Sequence, residues 1–274
     1  MSISCVSSSG PSKGSQIAPP KDRMQSLPSE LIANCLKFLD VKDLGRSSTL
    51  NHKCVQAITR YNVRNSIVHP CVFGEEEWKK YIGDPGVVPA LPKDWESQIW
   101  AMIPSLEGEK SLKNVMVIWM PSTLNGQPFK FKDLGELVQR PLTGNATKYV
   151  HIWDQIISQF GEMTGEGKWY VIGLAPVKGT RKKGFADQQA LVTGYGHKVP
   201  SIFPLITAIF MKHISEGSFP YGSEPLTYSR TLEQINGVRL IVGGFAAPGL
   251  RVLSYFWDPE RDGMGALREV PPSG

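Results

Sequence analysis

The segment from Leu27 to Arg60 sets the tightest limit on how this chain can be built. Leu27, Leu31, Cys35 and Leu39 recur every four residues, and Ile32 and Leu36 widen the stripe. That spacing lays the apolar side chains along one face of a helix of about three turns. Pro28 suits a first helical turn, where its missing N–H costs no hydrogen bond. Glu30 places negative charge near the helix N-terminus, where the macrodipole favours it. Asp40 and Asp43 have the spacing of a capping pair for a second short helix, with Leu44 and Leu50 as its apolar contacts. Asn51 suits the cap of a third helix carrying Cys54, Val55 and Ile58 inward. Three such helices make a unit of about forty residues, which is marginal as a core of its own. Its remaining apolar face needs cover from a partner or from the rest of the chain.

The rest is long enough to supply a domain. The chain has 274 residues, enough for a small module plus a larger unit. With 41% hydrophobic and 20% charged residues it is not globally disordered. The net charge of +5 is mild, and Arg181-Lys182-Lys183 is its tightest basic cluster, so nucleic acid is not an expected partner. That cluster reads as a solvated turn, with contact to an acidic partner as the sharper alternative. No apolar run is long enough to predict a transmembrane helix. Cys5, Cys35, Cys54 and Cys71 form no C-x-x-C pair and lack histidines at zinc spacing, which points to a reduced compartment. Residues 1–24, rich in Ser, Gly and Pro, are expected to form a disordered tail. They lack the cationic start and apolar core of a secretory signal; an address read by another export system stays open.

From Val72 the patterning changes, and residues 72–274 are expected to form an α+β domain with a mostly antiparallel sheet. Glu75 to Glu77 followed by Lys79 and Lys80 complement the dipole of a short helix ending at Tyr81. Pro85 to Pro92 reads as a loop, and Lys93 to Met102 as a helix. Lys113 to Met120 and Lys168 to Val177 are apolar runs expected as buried strands. Asn125-Gly126 is a tight-turn pair. Lys132 to Gln139, Phe185 to Thr193 and Val199 to Glu216 read as helices, the last the longest, with Ile202, Leu205, Ile206, Ile209, Phe210 and Ile214 on its apolar side. Tyr149 to Phe160 fits strand or helix, and Leu226 to Gln234 strand or loop. Gly237 to Phe245 and Leu250 to Trp257 form a hairpin, and Gly263 to Val270 adds a final edge strand. Helices are expected on one face of the sheet.

The sequence offers only weak candidates for catalytic chemistry. His52, His69, His151, His197 and His213 make no metal-ligand pattern and read as surface or structural residues. There is no G-x-S-x-G elbow and no Walker loop. Gly243-Gly244 reads as a bulge. The seven tryptophans read first as core, and otherwise as the floor of a recognition groove. No catalytic residue, metal or cofactor is assigned.

Two resemblances give these patterns a direction. Leu27-Pro28, Glu30-Leu31, Leu36, Leu39, Asp43-Leu44 and Leu50 resemble the F-box in order and spacing, over residues 25–65. Cys54 stands where many F-boxes carry Trp, and Cys35 where a larger aliphatic is usual, so the apolar surface is smaller. Beyond this, Leu27 to Leu31, Phe73 to Tyr81, Trp169 to Val171, Val242 to Ala246 and Gly263 to Arg268 resemble the F-box-like proteins of amoeba-associated, chlamydia-like bacteria. The resemblance implies a substrate receptor that docks on the Skp adaptor of a cullin-RING ubiquitin ligase through Leu27, Pro28, Leu31, Leu36, Leu39, Leu44 and Leu50. It implies a target protein bound by residues 72–274, and an effector acting in the cytosol of a host cell, with no nucleic acid or membrane partner. The alternative is an enzyme of unrecognised type with the helices as an N-terminal subdomain.

Overall fold

The computed structural model describes residues 72–93, 95–108, 112–254, 262–265 and 267–270. The chain divides into two units between Ser66 and Ile67, and every described residue belongs to the second, Ile67–Gly274. The expected tail, the three short helices and all four cysteines lie outside the described residues.

The described part is mixed α+β with six α-helices. In chain order these are α1 (Glu75–Tyr81), α2 (Trp95–Met102), α3 (Phe131–Gln139), α4 (Asp154–Phe160), α5 (Phe185–Gly194) and α6 (Ile202–Glu216). The strands are β1 (Val72–Phe73), β2 (Val115–Met120), β3 (Thr123–Leu124), β4 (Gln127–Pro128), β5 (Tyr149–Ile152), β6 (Lys168–Gly173), β7 (Tyr228–Ile235), β8 (Val238–Ala246), β9 (Gly249–Leu253), β10 (Asp262–Met264) and β11 (Leu267–Val270).

The expectation of one sheet covered on one face is corrected. A four-stranded sheet runs β1-β2-β6-β11 and a five-stranded sheet runs β10-β7-β8-β9-β5. Helix α6 packs against β2 and β6 of the first and against β7 and β8 of the second. Its thirteen residues from Ile202 to Ile214 are all buried. A stripe was expected, but a helix between two sheets buries its whole circumference, and Met211, Ala208 and Phe203 supply the remaining faces. The pairs β2–β6, β6–β11, β7–β8 and β8–β9 are antiparallel, while β1, β10 and β5 join parallel at sheet edges. The sheets are therefore antiparallel-rich but mixed.

Local chemistry explains most elements. Strand β2 is buried at every position, as a central strand covered on both faces must be; α2 and α6 both pack on it. In α1 the Glu77 carboxylate accepts the Gly74 N–H at 2.9 Å, closing the first turn. Asn125 and Gly126 both take positive φ, 52° and 76°, and join β3 to β4. The ambiguous stretch 149–160 is both readings in turn: β5, then α4 after Trp153. Of the stretch 226–234, the residues from Tyr228 onward belong to the strand β7. Gly243 sits where β8 loses register with β9, and a Cβ there would lie 2.2 Å from the Thr227 carbonyl oxygen. The bulge expected at Gly243-Gly244 is present.

The final edge is also corrected. Residues 262–270 form two strands, and β10 and β11 belong to different sheets. The chain crosses at Gly265, whose N–H donates to Ser229 Oγ at 2.8 Å. A single edge would have lain beside only one sheet.

Candidate functional site

The seven residues expected at the adaptor contact, Leu27, Pro28, Leu31, Leu36, Leu39, Leu44 and Leu50, lie outside the described residues. Among the described residues of the second unit, one concave feature is a cleft of about 400 Å³ beside the N-terminal end of α6.

Its walls come from distant parts of the chain. Tyr170 on β6 pairs across the ladder with Glu269 on β11, so the two side chains share a face. Glu166 lies just before β6, and its carboxylate meets the Tyr170 hydroxyl. The segment His197–Ser201 is held against β11 by paired bonds between Lys198 and Leu267, at 2.8 and 2.9 Å. Gln189 and Thr193, four apart on α5, present one exposed face to the cleft. Val199, Pro204, Leu232 and Leu267 form the apolar part of the lining.

Glu233 on β7 caps the α6 entry beside the cleft. The Ser201 hydroxyl donates to one carboxylate oxygen at 2.5 Å and the Ile202 N–H to the other at 2.9 Å. A helix N-terminus carries orphan N–H groups and a positive partial charge, and a carboxylate satisfies both needs. The neighbouring Leu232 N–H donates to the Pro200 carbonyl at 3.1 Å, which fixes the strand against the helix entry.

Inside the cleft, Tyr170 is only 2% exposed. Its phenol is pushed well above its ordinary range by burial first, then by the Glu166 carboxylate and, further off, Glu269. It stays protonated and presents a hydroxyl beside two carboxylates. At the rim Lys168 pairs with Glu166 at 2.8 Å and Lys198 with Glu269 at 3.0 Å. Both are solvent-facing pairs of small net energy.

The histidine expectations divide. His197 and His213 are buried, and His151 is exposed. His197 Nε2 lies 3.0 Å from Ser105 Oγ, a spacing that a nucleophile and its base also use. The serine proton points elsewhere: Ser105 Oγ donates to the Met102 carbonyl at 2.7 Å. His197 Nε2–H is therefore the donor and the serine oxygen the acceptor, the reverse of what base activation needs. Ser105 is 1% exposed and His197 3%, so this pair acts as a buried cross-link between chain segments. Among the described residues no cluster of metal-binding side chains occurs, and no helix is long and apolar enough to cross a membrane.

Trp78, Trp119 and Trp169 are core residues; Trp78 Nε1 donates to the Trp119 carbonyl at 2.8 Å. Trp100 and Trp153 are each more than one-third exposed. In the basic cluster Arg181 pairs with Glu107 at 2.8 Å, and Lys182 and Lys183 are exposed.

Sequence comparison adds to this geometry. Residues 24–65 match the F-box domain model. The chain carries an F-box domain. No curated protein and no solved structure matches the chain. F-box domains generally bind Skp1-type adaptors of cullin-RING ligases and are typically adaptors rather than enzymes, so the match supports a substrate-receptor role and protein binding. The cleft is not legible in the sequence: Glu166, Tyr170, Gln189, Lys198 and Glu269 carry no motif, and the β6–β11 ladder, the α6 entry and α5 bring them together.

Proposed function

We propose that this chain is an F-box substrate receptor. Residues 27–60 dock on a Skp-type adaptor through Leu27, Pro28, Leu31, Leu36, Leu39, Leu44 and Leu50, and the second unit holds a target protein for ubiquitination by the ligase. The F-box match at residues 24–65 carries this reading. A marginal helical unit with an apolar stripe is the kind of surface that gains from being covered by a partner. The resemblance to F-box-like proteins of chlamydia-like bacteria extends it to an effector working in host cytosol. The Ser105–His197 pair lends no support to the enzyme alternative, because its hydroxyl is engaged as a donor to Met102.

The test is retention of the full chain on immobilised purified adaptor. Burying a leucine contributes roughly 1.5–3 kcal/mol, and each 1.4 kcal/mol is about tenfold in affinity. Leu31→Ala with Leu39→Ala should therefore weaken retention on the order of a hundredfold or more. A wild-type chain that is not retained, or a double variant retained as well as wild type, overturns the docking.

A further inference from the structure

We infer that the cleft beside α6 is the target pocket, and that it takes a basic side chain, lysine or arginine, of the target polypeptide. This rests on the substrate-receptor reading and adds the chemistry of what is received.

Size comes first. About 400 Å³ is at the small end of ligand pockets, which run from about 300 to 1,000 Å³. It suits one long side chain and its immediate backbone. The lining then sorts by type. Val199, Pro204, Leu232 and Leu267 give an apolar stretch for a methylene stem, and of these Leu232 is 44% exposed among the described residues. Lysine and arginine bury their stems on such surface while the charged head seeks polar partners. Those partners are Glu166, Glu269 and the Tyr170 hydroxyl. Tyr170 stays protonated, donating toward one carboxylate and leaving its oxygen lone pairs to accept from a cation.

Charge selects the sign of the occupant. The lining carboxylates Glu166 and Glu269 and the capping carboxylate Glu233 stand against two ammonium groups, Lys198 in the lining and Lys168 at the rim, in a chain whose net charge is +5. A helix N-terminus at the wall would by itself draw an anion. Here the chain supplies that anion: Glu233 already takes the Ser201 hydroxyl and the Ile202 N–H. A carboxylate or phosphate ligand would meet a filled cap and two more carboxylates. A cation would meet two carboxylates whose present partners, Lys168 and Lys198, form exposed pairs that exchange readily.

The experiment uses the full chain and fluorescent octapeptide pools in a Ser/Gly/Ala background, each with one fixed central residue: arginine, lysine, norleucine or glutamate. Binding is read by anisotropy. The arginine or lysine pool should bind at least tenfold tighter than the norleucine and glutamate pools, and added salt should shrink the difference. Glu166→Gln with Glu269→Gln should remove the preference. Gln189→Lys with Thr193→Lys places two ammonium groups on the exposed cleft face of α5 and should remove it too, without touching the core. Equal binding of norleucine, preference for glutamate, no binding above the glutamate pool, or a preference surviving the α5 double variant overturns the inference. Adaptor retention measured on the same preparation separates the two readings. Retention without a basic-side-chain preference removes only the pocket, and the preference without retention removes only the receptor.

Discussion

The two ends of helix α6 are closed in different ways. At the carbonyl end Gly217 adopts φ 73° and its N–H bonds the His213 carbonyl at 2.7 Å. The Asn145 backbone N–H donates to the Ile214 carbonyl at 3.0 Å, and its side chain reaches the His213 and Ile214 carbonyls, both at 3.3 Å. Phe219 and Phe245 then pack on the His213 ring, at centroid distances of 4.7 and 5.1 Å. At the N–H end a single carboxylate, Glu233, serves as the cap, and a cleft lies beside it. Main chain, the Asn145 side chain and aromatic rings close one end. A side-chain cap satisfies the other while leaving space nearby. The difference teaches that the cap's charge determines what the adjoining space can hold: with the anion built in, the remaining carboxylates favour a cation.

The sealed end should be the more sensitive to substitution. A Cβ on Gly144 would lie 2.3 Å from the Ile214 carbonyl oxygen, at a φ of 88° that side chains disfavour. Gly144→Ala combines overpacking with backbone strain and should cost about 3 kcal/mol or more in denaturant unfolding. A loss below about 1 kcal/mol would mean that the carbonyl end yields easily and that the two ends do not differ in rigidity.

At the open end, Glu233→Ala removes both cap bonds and should cost about 1–2 kcal/mol by the same measurement. It should also raise binding of the glutamate-centred peptides relative to the basic ones, because the helix N-terminus is then unfilled. An unchanged peptide preference would separate the cap from the cleft.

The smallest effect comes from a carboxylate with two cationic partners but no helix end to cap. Glu162 accepts from Lys130 at 2.7 Å and from Lys132, all on exposed surface. Lys130 first and Lys132 next lower its pKa from 4.5 to about 2. Its folded pKa lies below the unfolded one, so its contribution is complete above about pH 4.5 and is lost as pH falls toward about 2. The thermal midpoint of wild type minus that of Glu162→Gln should shrink over that window, and should be small throughout because solvent and salt screen the pair. A difference as large as that of Glu233→Ala would break the distinction between exposed and helix-capping carboxylates.

The sequence by itself determined the elements whose neighbours in the chain define their faces. The apolar run at Val115–Met120 marked a buried strand, Asn125-Gly126 a tight turn, and Gly243-Gly244 a bulge. The repeat of Leu27, Leu31 and Leu39 marked a module that the F-box match at residues 24–65 supports. These signals are local, because side-chain spacing and glycine's backbone freedom act over a few residues. Only the tertiary structure decided that α6 lies between two sheets, that residues 262–270 divide between both, and that Glu233 caps a helix thirty-one residues earlier. Glu269 likewise meets Tyr170 only because β11 pairs antiparallel with β6. Which carboxylate faces which hydroxyl depends on strand register and layer packing, and no spacing along the chain encodes them.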